Sequence, residues 1–151
     1  MRYFLDTEYN GFGGALLSLA LAPEDGSEEF YVTLECQAAL DPWVERHVMP
    51  YLDMVPEVLQ GPRLTRLAAA DALAAWLAHD EAPDIVADWP EDIAQISMLL
   101  VTGPGLMVPV PPLTLRLATL YGFSTAANSV VPHNALHDAR ALRDYVMNHL
   151  E

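Results

Sequence analysis

Two carboxylates close the first apolar segment of this chain. In the stretch RYFLDTEYNG, an apolar run at residues 3 to 5 ends in Asp6 and Glu8, with only Thr7 between them. Residues i and i+2 of a β-strand point to the same face, so the two acids are predicted to lie side by side. Like charges at that spacing repel, and a divalent cation that prefers oxygen ligands would relieve the repulsion. Taken alone, this pair is better explained as two solvated acids at the end of a strand.

Further acids follow at comparable places later in the chain. The stretch VADWPED puts Asp88 at the end of a predicted strand and Asp92 in the first turn of the next helix. The stretch HNALHDA puts Asp138 at the start of the last helix, five residues after His133. Each has a structural explanation when taken alone, because an aspartate near a helix N-terminus commonly caps the helix. The ordered set of all these residues is much less expected by chance than any one of them.

This ordered set resembles the DEDD exonuclease superfamily, the DnaQ-like branch of the ribonuclease H-like fold, in its DEDDh form. FLDTE is similar to the first motif of that family, with Asp6 and Glu8, and HNALHDA is similar to the third, with His133 and Asp138. The opening MRYFLDTEYN and the later WVERHVMPYL also resemble a subfamily of small, stand-alone bacterial and mycobacterial-type 3′–5′ exoribonucleases. The resemblance covers most of the chain.

The second motif departs from the family pattern. Family members usually carry a polar pair after the strand, with the aspartate several residues later in the helix, whereas the spacer here is only WPE. Asp92 fits the helical position, and Ile96 follows it on the packing face. Asp88 is the alternative metal ligand if the shorter loop moves the ligand position from the helix to the end of the strand. We prefer Asp92.

The resemblance implies a metal-dependent 3′–5′ exoribonuclease that releases nucleoside 5′-monophosphates from single-stranded RNA. It implies two Mg²⁺ ions, for which Mn²⁺ would substitute, and His133 as general base. His137 does not match the motif position and is interpreted as a helix-start residue. The implied metal ligands are Asp6, Glu8, Asp92 and Asp138.

Two alternatives stay open. A 3′–5′ exodeoxyribonuclease would carry the same motifs, because the 2′-hydroxyl is sensed by local geometry that the sequence does not show. A non-catalytic acidic binding module, which occupies the basic groove of another protein, would also fit the charge of the chain.

The glycine-rich loop YNGFGG follows the first motif directly and is the candidate contact for a terminal nucleotide. Thr7 and Phe12 are the candidate substrate-binding residues. Phe12 would either stack on a base or be the core residue of a flexible turn, and the second interpretation is slightly favoured. Trp43, Trp76 and Trp89 are predicted to lie in the core.

Charge limits the kind of nucleic acid that the chain would bind. Seven arginines and no lysine stand against 21 acidic residues, a formal net charge of -14. A protein that tracks long nucleic acid usually carries a basic stripe, which this composition does not provide. The substrate is therefore expected to be short or single-stranded RNA or another oligonucleotide. Arg140 and Arg143 in the last helix are predicted to be solvated, with phosphate contact as the alternative.

The length of 151 residues fits one domain, and we predict a single exonuclease domain over residues 1–151. No apolar stretch reaches the ~20 residues of a membrane span, and the N-terminus lacks the pattern of a signal peptide. Cys36 is the only cysteine, which is compatible with a reducing compartment. We therefore expect a cytoplasmic protein without membrane contact.

The predicted elements that would hold these residues begin with three strands, at residues 2–9, 15–22 and 29–34, in an antiparallel meander. A helix capped by Asp41, the long helix within LTRLAAADALAAWLAH, a strand ending at Asp88 and a helix from Pro90 follow. This order predicts an α/β fold: a ribonuclease H-like mixed sheet, three antiparallel strands and then parallel strands, flanked by helices.

The remaining segments are less regular. TGPGLMVPVPP is predicted as a loop or irregular edge segment, in which the prolines weaken the case for a last sheet strand near residues 105–110. LTLRLATLYG follows as a predicted short helix that ends at Gly122. PGLMVPVPPL would either cover the sheet or serve as a partner surface, and a homodimer is a weak expectation from the resemblance. The last helix is predicted to pack through Ala139, Leu142, Tyr145, Val146 and Leu150.

Overall fold

The first predicted strand lies at the centre of a five-stranded sheet. The computed structural model describes residues 1–149, so the predicted packing of Leu150 lies outside the described residues. The strands are β1 (Arg2–Tyr9), β2 (Leu16–Pro23), β3 (Phe30–Thr33), β4 (Asp84–Ala87), β5 (Val101–Gly103), β6 (Leu106–Met107) and β7 (Thr114–Leu117). The α-helices are α1 (Pro42–His47), α2 (Arg66–Leu77), α3 (Pro90–Leu100), α4 (Thr125–Asn128) and α5 (Ala135–His149).

The order of strands in the main sheet is β3-β2-β1-β4-β7. β1 and β2 pair in antiparallel fashion, as do β2 and β3, so the predicted meander is confirmed. β4 pairs parallel to β1, and β7 pairs parallel to β4. The described chain is therefore an α/β fold with a mixed sheet, and β1 and β4 end at the same edge of it.

The prediction for residues 113–122 was wrong. The segment predicted as a helix contains strand β7, and the strand proposed near residues 105–110 is replaced by a small hairpin of β5 and β6 outside the main sheet. Leu113 and Leu115 are partly buried against the core, whereas Leu117 is half exposed. The spacing of the two packed leucines has the period of a strand, which the helical interpretation overlooked.

Helices cover both faces of the sheet. Side chains of α2 and α3 pack with Leu5 in the largest apolar cluster, whereas α5 contributes Leu142 and Val146 to a cluster that contains Phe4. Side chains of β1 thus alternate between the α2–α3 face and the α5 face. Continued to the end of the strand, this alternation directs Asp6 toward α5.

The apolar stretch at residues 104–113 has two parts. Val108 is buried in the main core, which fits the prediction that this stretch covers the protein's own sheet. Leu106 and Met107 are each more than half exposed on the β5–β6 hairpin. Across residues 1–149, no helix is both long enough and apolar enough to cross a membrane.

Candidate active site

The sequence-predicted acids come together where β1 and β4 end. β1 supplies two of them, the turn after β4 and the first turn of α3 supply two more, and the start of α5 supplies the last with its histidine. Their side chains line one cleft with a volume of about 400 Å³, here called the acidic cleft. The predicted residues in its wall are Asp6, Glu8, Asp88, Asp92, His133 and Asp138.

Asp6 and Glu8 lie in β1 two residues apart, as the sequence predicts. Asp6 is only 9% exposed, and its Oδ2 is buried without a hydrogen-bond partner among the described residues. Burial and the neighbouring carboxylates, led by Asp92 and Asp138, raise its pKa well above the usual value. Burial and the same two acids raise the pKa of Glu8 to about 8. The site is therefore short of positive charge.

Asp92 is held by Thr7, whose side chain lies on the face of β1 opposite to Asp6 and Glu8. The backbone N–H of Thr7 and its hydroxyl both donate to Oδ1 of Asp92, at 3.1 and 2.5 Å. Burial nevertheless raises the pKa of Asp92 to about 7. Thr7, predicted as a substrate-binding residue, lines the cleft, and its hydroxyl positions this carboxylate.

Asp88, the alternative ligand, also lines the acidic cleft, and burial raises its pKa. It is more exposed than Asp92, which is 2% exposed. Both candidates for the second motif therefore face the cleft, and only Asp92 is fixed to β1 by hydrogen bonds.

Local backbone geometry explains the five-residue spacing between His133 and Asp138. His133 has φ 66°, in the left-handed region that non-glycine residues rarely adopt. The backbone N–H of His133 donates to Oδ2 of Asp138 at 3.1 Å. Asn134 caps α5, because its Oδ1 accepts from the backbone N–H groups of Leu136 and His137. One ligand atom each from Glu8, His133 and Asp138 lies within 4.8 Å of the others. Unusual backbone conformations of this kind concentrate at functional sites.

The ring of His133 stands against an aromatic wall. Its centroid lies 4.9 Å from that of Trp43 in an edge-to-face arrangement. Burial, with a smaller contribution from His47, lowers the pKa of His133. The lowered pKa favours the neutral imidazole, which is the form that can accept a proton.

The glycine-rich loop is tied to α3. The N–H of Gly13 donates to Oε1 of Glu91 at 2.6 Å, and Nε2 of Gln95 donates to the carbonyl of Gly14 at 3.1 Å. A Cβ at Gly14 would stand 2.0 Å from the carbonyl oxygen of Asn10, so only glycine fits there. Phe12 is 84% exposed, and the prediction that it is a core residue was wrong.

Two tryptophans predicted as core are also at the site. Trp43 is 47% exposed and Trp89 is 50% exposed, whereas Trp76 packs against Tyr3 and Phe30. In α1 the buried position belongs to Val44, which leaves the adjacent Trp43 outside the core. Trp89 follows the end of β4 and precedes the helix, beyond the buried stretch. Each of these two tryptophans lies at the boundary of an element, next to Pro42 at the start of α1 or next to Asp88 after β4. That position was the sequence signal that they lie outside the core.

Tyr9, Phe12 and Trp43 line a second cleft of about 420 Å³, here called the aromatic cleft. It lies beside the acidic cleft, and both clefts have Thr7, Glu8, Tyr9, Phe12 and His133 as lining residues. Trp43 lines only the aromatic cleft and Trp89 only the acidic cleft, and the ring centroids of Phe12 and Trp89 are 6.4 Å apart. The arrangement offers flat apolar surfaces beside a cluster of carboxylates.

The arginines of the last helix do not reach the site. Arg140 is paired with Glu29 through Nε–Oε1 and Nη2–Oε2 contacts of 2.7 and 2.5 Å, and Arg143 lies 3.7 Å from the same carboxylate. The prediction that both are solvated was wrong, because Glu29 before β3 supplies a partner across the chain. His137 lies in the first turn of α5, as predicted. Its Nε2 is 2.8 Å from the carbonyl oxygen of Met54.

Comparison with known proteins adds no family to this geometry. A scan against models of known protein families found no match, and a search of curated proteins found none either.

Proposed function

We propose that this protein is a metal-dependent 3′–5′ exoribonuclease of the DEDDh type with a ribonuclease H-like fold. The observation that carries the proposal is the convergence of Asp6, Glu8, Asp92, Asp138 and His133 on one cleft from three separate segments of the chain. The strand order supports the fold assignment, since an antiparallel β3-β2-β1 unit followed by parallel strands is the arrangement expected of this class.

The carboxylates fit divalent cations. Buried oxygens of Asp6 and Asp138 have no hydrogen-bond partner among the described residues, and burial raises the pKa of each acid. An all-oxygen donor set suits Mg²⁺ or Mn²⁺. Asp6, Glu8, Asp92 and Asp138 would hold two such ions, with Asp88 as the alternative to Asp92. When bound, the ions would supply charge neutralisation of the phosphodiester and a lowered pKa of the attacking water.

His133 would act as the general base. A neutral ring nitrogen accepts the proton of the water that attacks the terminal phosphodiester. The bond from phosphorus to O3′ of the shortened chain breaks, and that oxygen regains a proton as the new 3′-hydroxyl. The released nucleotide keeps its phosphate on the 5′ side. Asp138 accepts a hydrogen bond from the backbone N–H of His133 and so holds the main chain that carries this base.

The exposed aromatic rings of the two clefts support attack at a chain end. Exposed rings of Phe12, Trp43 and Trp89 offer stacking surfaces for the terminal bases, each worth about 1–3 kcal/mol. Stacking is tolerant of sequence and of sugar, so RNA and DNA are both candidates, and the sequence resemblance favours RNA.

The test is a time course on a 5′-labelled single-stranded RNA and on a DNA of the same sequence, resolved to single nucleotides. We expect a ladder that descends one nucleotide at a time from the 3′ end and requires Mg²⁺ or Mn²⁺. EDTA, Asp6→Ala and His133→Ala should each abolish it. A ladder on DNA alone would identify an exodeoxyribonuclease, and intact bands under every metal would indicate an acidic binding module.

A further inference from the structure

Strand β2 contains a single polar side chain. Its sequence is LLSLALAP, and all eight residues are buried. Ser18 is 0% exposed, and its Oγ has no hydrogen-bond partner within residues 1–149. Burial of a hydroxyl without a partner is unfavourable, and an alanine at this place in the strand would avoid the penalty. Packing alone therefore does not explain why this position of β2 is a serine.

Ser18 lies directly behind the acidic cleft. The pairing of β1 with β2 places Ser18 opposite Glu8. Residues that are directly opposite in an antiparallel pair lie on the same face of the sheet, with Cβ atoms about 4.5–5.5 Å apart. A serine hydroxyl rotates to suit its acceptor, so a neighbouring carboxylate at this separation is within its reach. The natural acceptor for this buried hydroxyl is therefore the carboxylate of Glu8.

A second buried hydroxyl continues the row into β3. Thr33 is opposite Ser18 in the pairing of β2 with β3, and it is 5% exposed. Nη1 of Arg63 donates to Oγ1 of Thr33 at 2.9 Å and also lies 2.7 Å from Asp53. The polar side chains of three neighbouring strands thus lead from the acidic cleft to a guanidinium. We call Ser18 and Thr33 the hydroxyl row.

The two ends of the hydroxyl row fix the direction of its hydrogen bonds. Arginine can only donate, and an ionised carboxylate can only accept. Because Oγ1 of Thr33 accepts from Arg63, the hydroxyl proton of Thr33 is left to donate to Ser18. The hydroxyl proton of Ser18 is then directed to Glu8. The same row in the reverse direction would need a donor at Glu8, which the ionised acid does not have.

Tyr31 is the competing partner for Ser18. The hydroxyl of Tyr31 donates to the carbonyl of Leu52 at 2.6 Å, so it can only accept from Ser18. Burial raises the pKa of Tyr31, and a side-chain interaction with Ser18 opposes that rise. A serine that served Tyr31 alone would stabilise the fold and would have no effect on the acidic cleft. The two roles therefore differ in what a variant of Ser18 would change.

We propose that Ser18 is a positioning residue, whose hydroxyl holds the carboxylate of Glu8 in the orientation that binds a divalent cation. Thr33 and Arg63 lie behind it and direct its proton. The proposal rests on the exonuclease function proposed above, in which Glu8 is a metal ligand. Removal of a group that holds a ligating side chain typically weakens metal binding 10- to 100-fold.

Binding of Mn²⁺, followed by the electron paramagnetic resonance signal of the free ion, tests this role. Ser18→Ala should weaken the affinity about tenfold, whereas its Tm in EDTA should equal or exceed that of the unmodified protein because a buried hydroxyl without a partner is gone. At limiting Mn²⁺ the rate of RNA degradation should fall about as much and should recover as Mn²⁺ is raised. A residue that only stabilises the fold would lower Tm instead.

Three further variants locate the effect. Thr33→Val removes the second hydroxyl at nearly constant volume and should weaken Mn²⁺ binding in the same direction, by a smaller factor. Combined with Ser18→Ala it should add little, because both act through one row. Tyr31→Phe should leave the affinity unchanged. Ser97→Ala is the matched control, since its hydroxyl donates to the carbonyl of Ile93 within α3 at 2.6 Å.

The outcomes that overturn the proposal are distinct from those that overturn the exonuclease function. An affinity of Ser18→Ala within about twofold of the unmodified protein, or an equal loss in Tyr31→Phe, would show that Ser18 does not serve Glu8. The function stands in that case if the unmodified protein binds Mn²⁺ and shortens RNA. An unmodified protein that binds no Mn²⁺ removes the metal-dependent function and the role of Ser18 together.

Discussion

Where β1 and β4 begin, acidic side chains have cationic partners. The N-terminal amine lies 2.7 Å from Asp80, Arg2 pairs with Glu24 at 3.1 Å, and Arg116 pairs with Asp84 at 2.8 Å. Where the same two strands end, the acidic cleft contains five carboxylates in the described chain and no arginine or lysine. The two ends of one sheet thus differ in whether charge is compensated.

The pKa values of two aspartates express this difference. A hydrogen bond from the N-terminal amine lowers the pKa of Asp80, so its charged form is favoured by folding. Burial raises the pKa of Asp6, so its charged form is disfavoured by folding. The fold provides cationic partners for the carboxylates at one end of the sheet and none in the acidic cleft at the other end. A cation from solution would therefore be bound most favourably in the acidic cleft. We interpret the destabilised end as the functional one.

The largest effect should come from exchanging one aspartate at each end. Asp6→Asn should lower the exonuclease rate by about 10³-fold or more, because it removes a proposed metal ligand. In EDTA the same change should raise Tm, because burial and the neighbouring acids disfavour the charged form of Asp6 and asparagine has no charged form. Asp80→Asn should leave the rate within about twofold and lower stability by at most about 1 kcal/mol. Equal losses of rate in the two variants, measured as initial velocities beside thermal unfolding, would contradict the comparison.

A second exchange concerns histidines. His133→Ala should lower the rate roughly 10²- to 10⁴-fold, the contribution of a general base, and should remove the acidic limb of the pH–rate profile. In the unmodified protein that limb should fall below the ordinary histidine value of about 6.5, because burial lowers the pKa of His133. His79→Ala, an exposed histidine next to Asp80, is the control and should change neither rate nor profile.

Stability without metal should depend on pH in the direction set by the cleft. The raised pKa values of Glu8, about 8, and Asp92, about 7, mean that the folded state holds protons which the unfolded state has released. The contribution of these two groups to stability is therefore greatest at low pH and falls as pH rises through these values. We expect urea unfolding in EDTA to give a free energy of unfolding roughly 2 kcal/mol lower at pH 8 than at pH 5.5.

Addition of Mg²⁺ should restore more of the free energy of unfolding at pH 8 than at pH 5.5, because the carboxylates must be charged to bind it. Asp6→Asn should reduce both the pH dependence and the gain from Mg²⁺. A stability that rises between the two pH values would show that the carboxylates are already compensated within the fold.

The acids of the cleft were predictable because local rules place them. Alternation along β1 puts Asp6 and Glu8 on one face, and the capping geometry at the start of α5 ties His133 to Asp138. The choice between Asp88 and Asp92 depended on a short loop, for which spacing gave no clear answer.

The errors arose where distant partners decide the structure. Residues 114–117 form a strand because β4, some thirty residues earlier, offers a free edge to pair with. Trp43 is exposed because Val44 and Val48 fill the space under α1, together with Leu17 and Leu52 from other elements. Hydrophobicity identified these residues as buried, but it does not show which of two adjacent apolar residues the core has room for.

The smallest effect should come from the exposed aromatic rings. Phe12→Ala should raise KM about five- to tenfold, near 1 kcal/mol of lost stacking, with kcat and Tm unchanged because Phe12 is 84% exposed. Val58→Ala removes a side chain that is 88% exposed beside a different pocket and should change none of these quantities. Phe12→Tyr should retain the original KM, since it keeps the ring. A fall in kcat for Phe12→Ala would instead show that this ring helps to position the scissile phosphate, because a residue that only binds the base contributes equally to the ground state and the transition state.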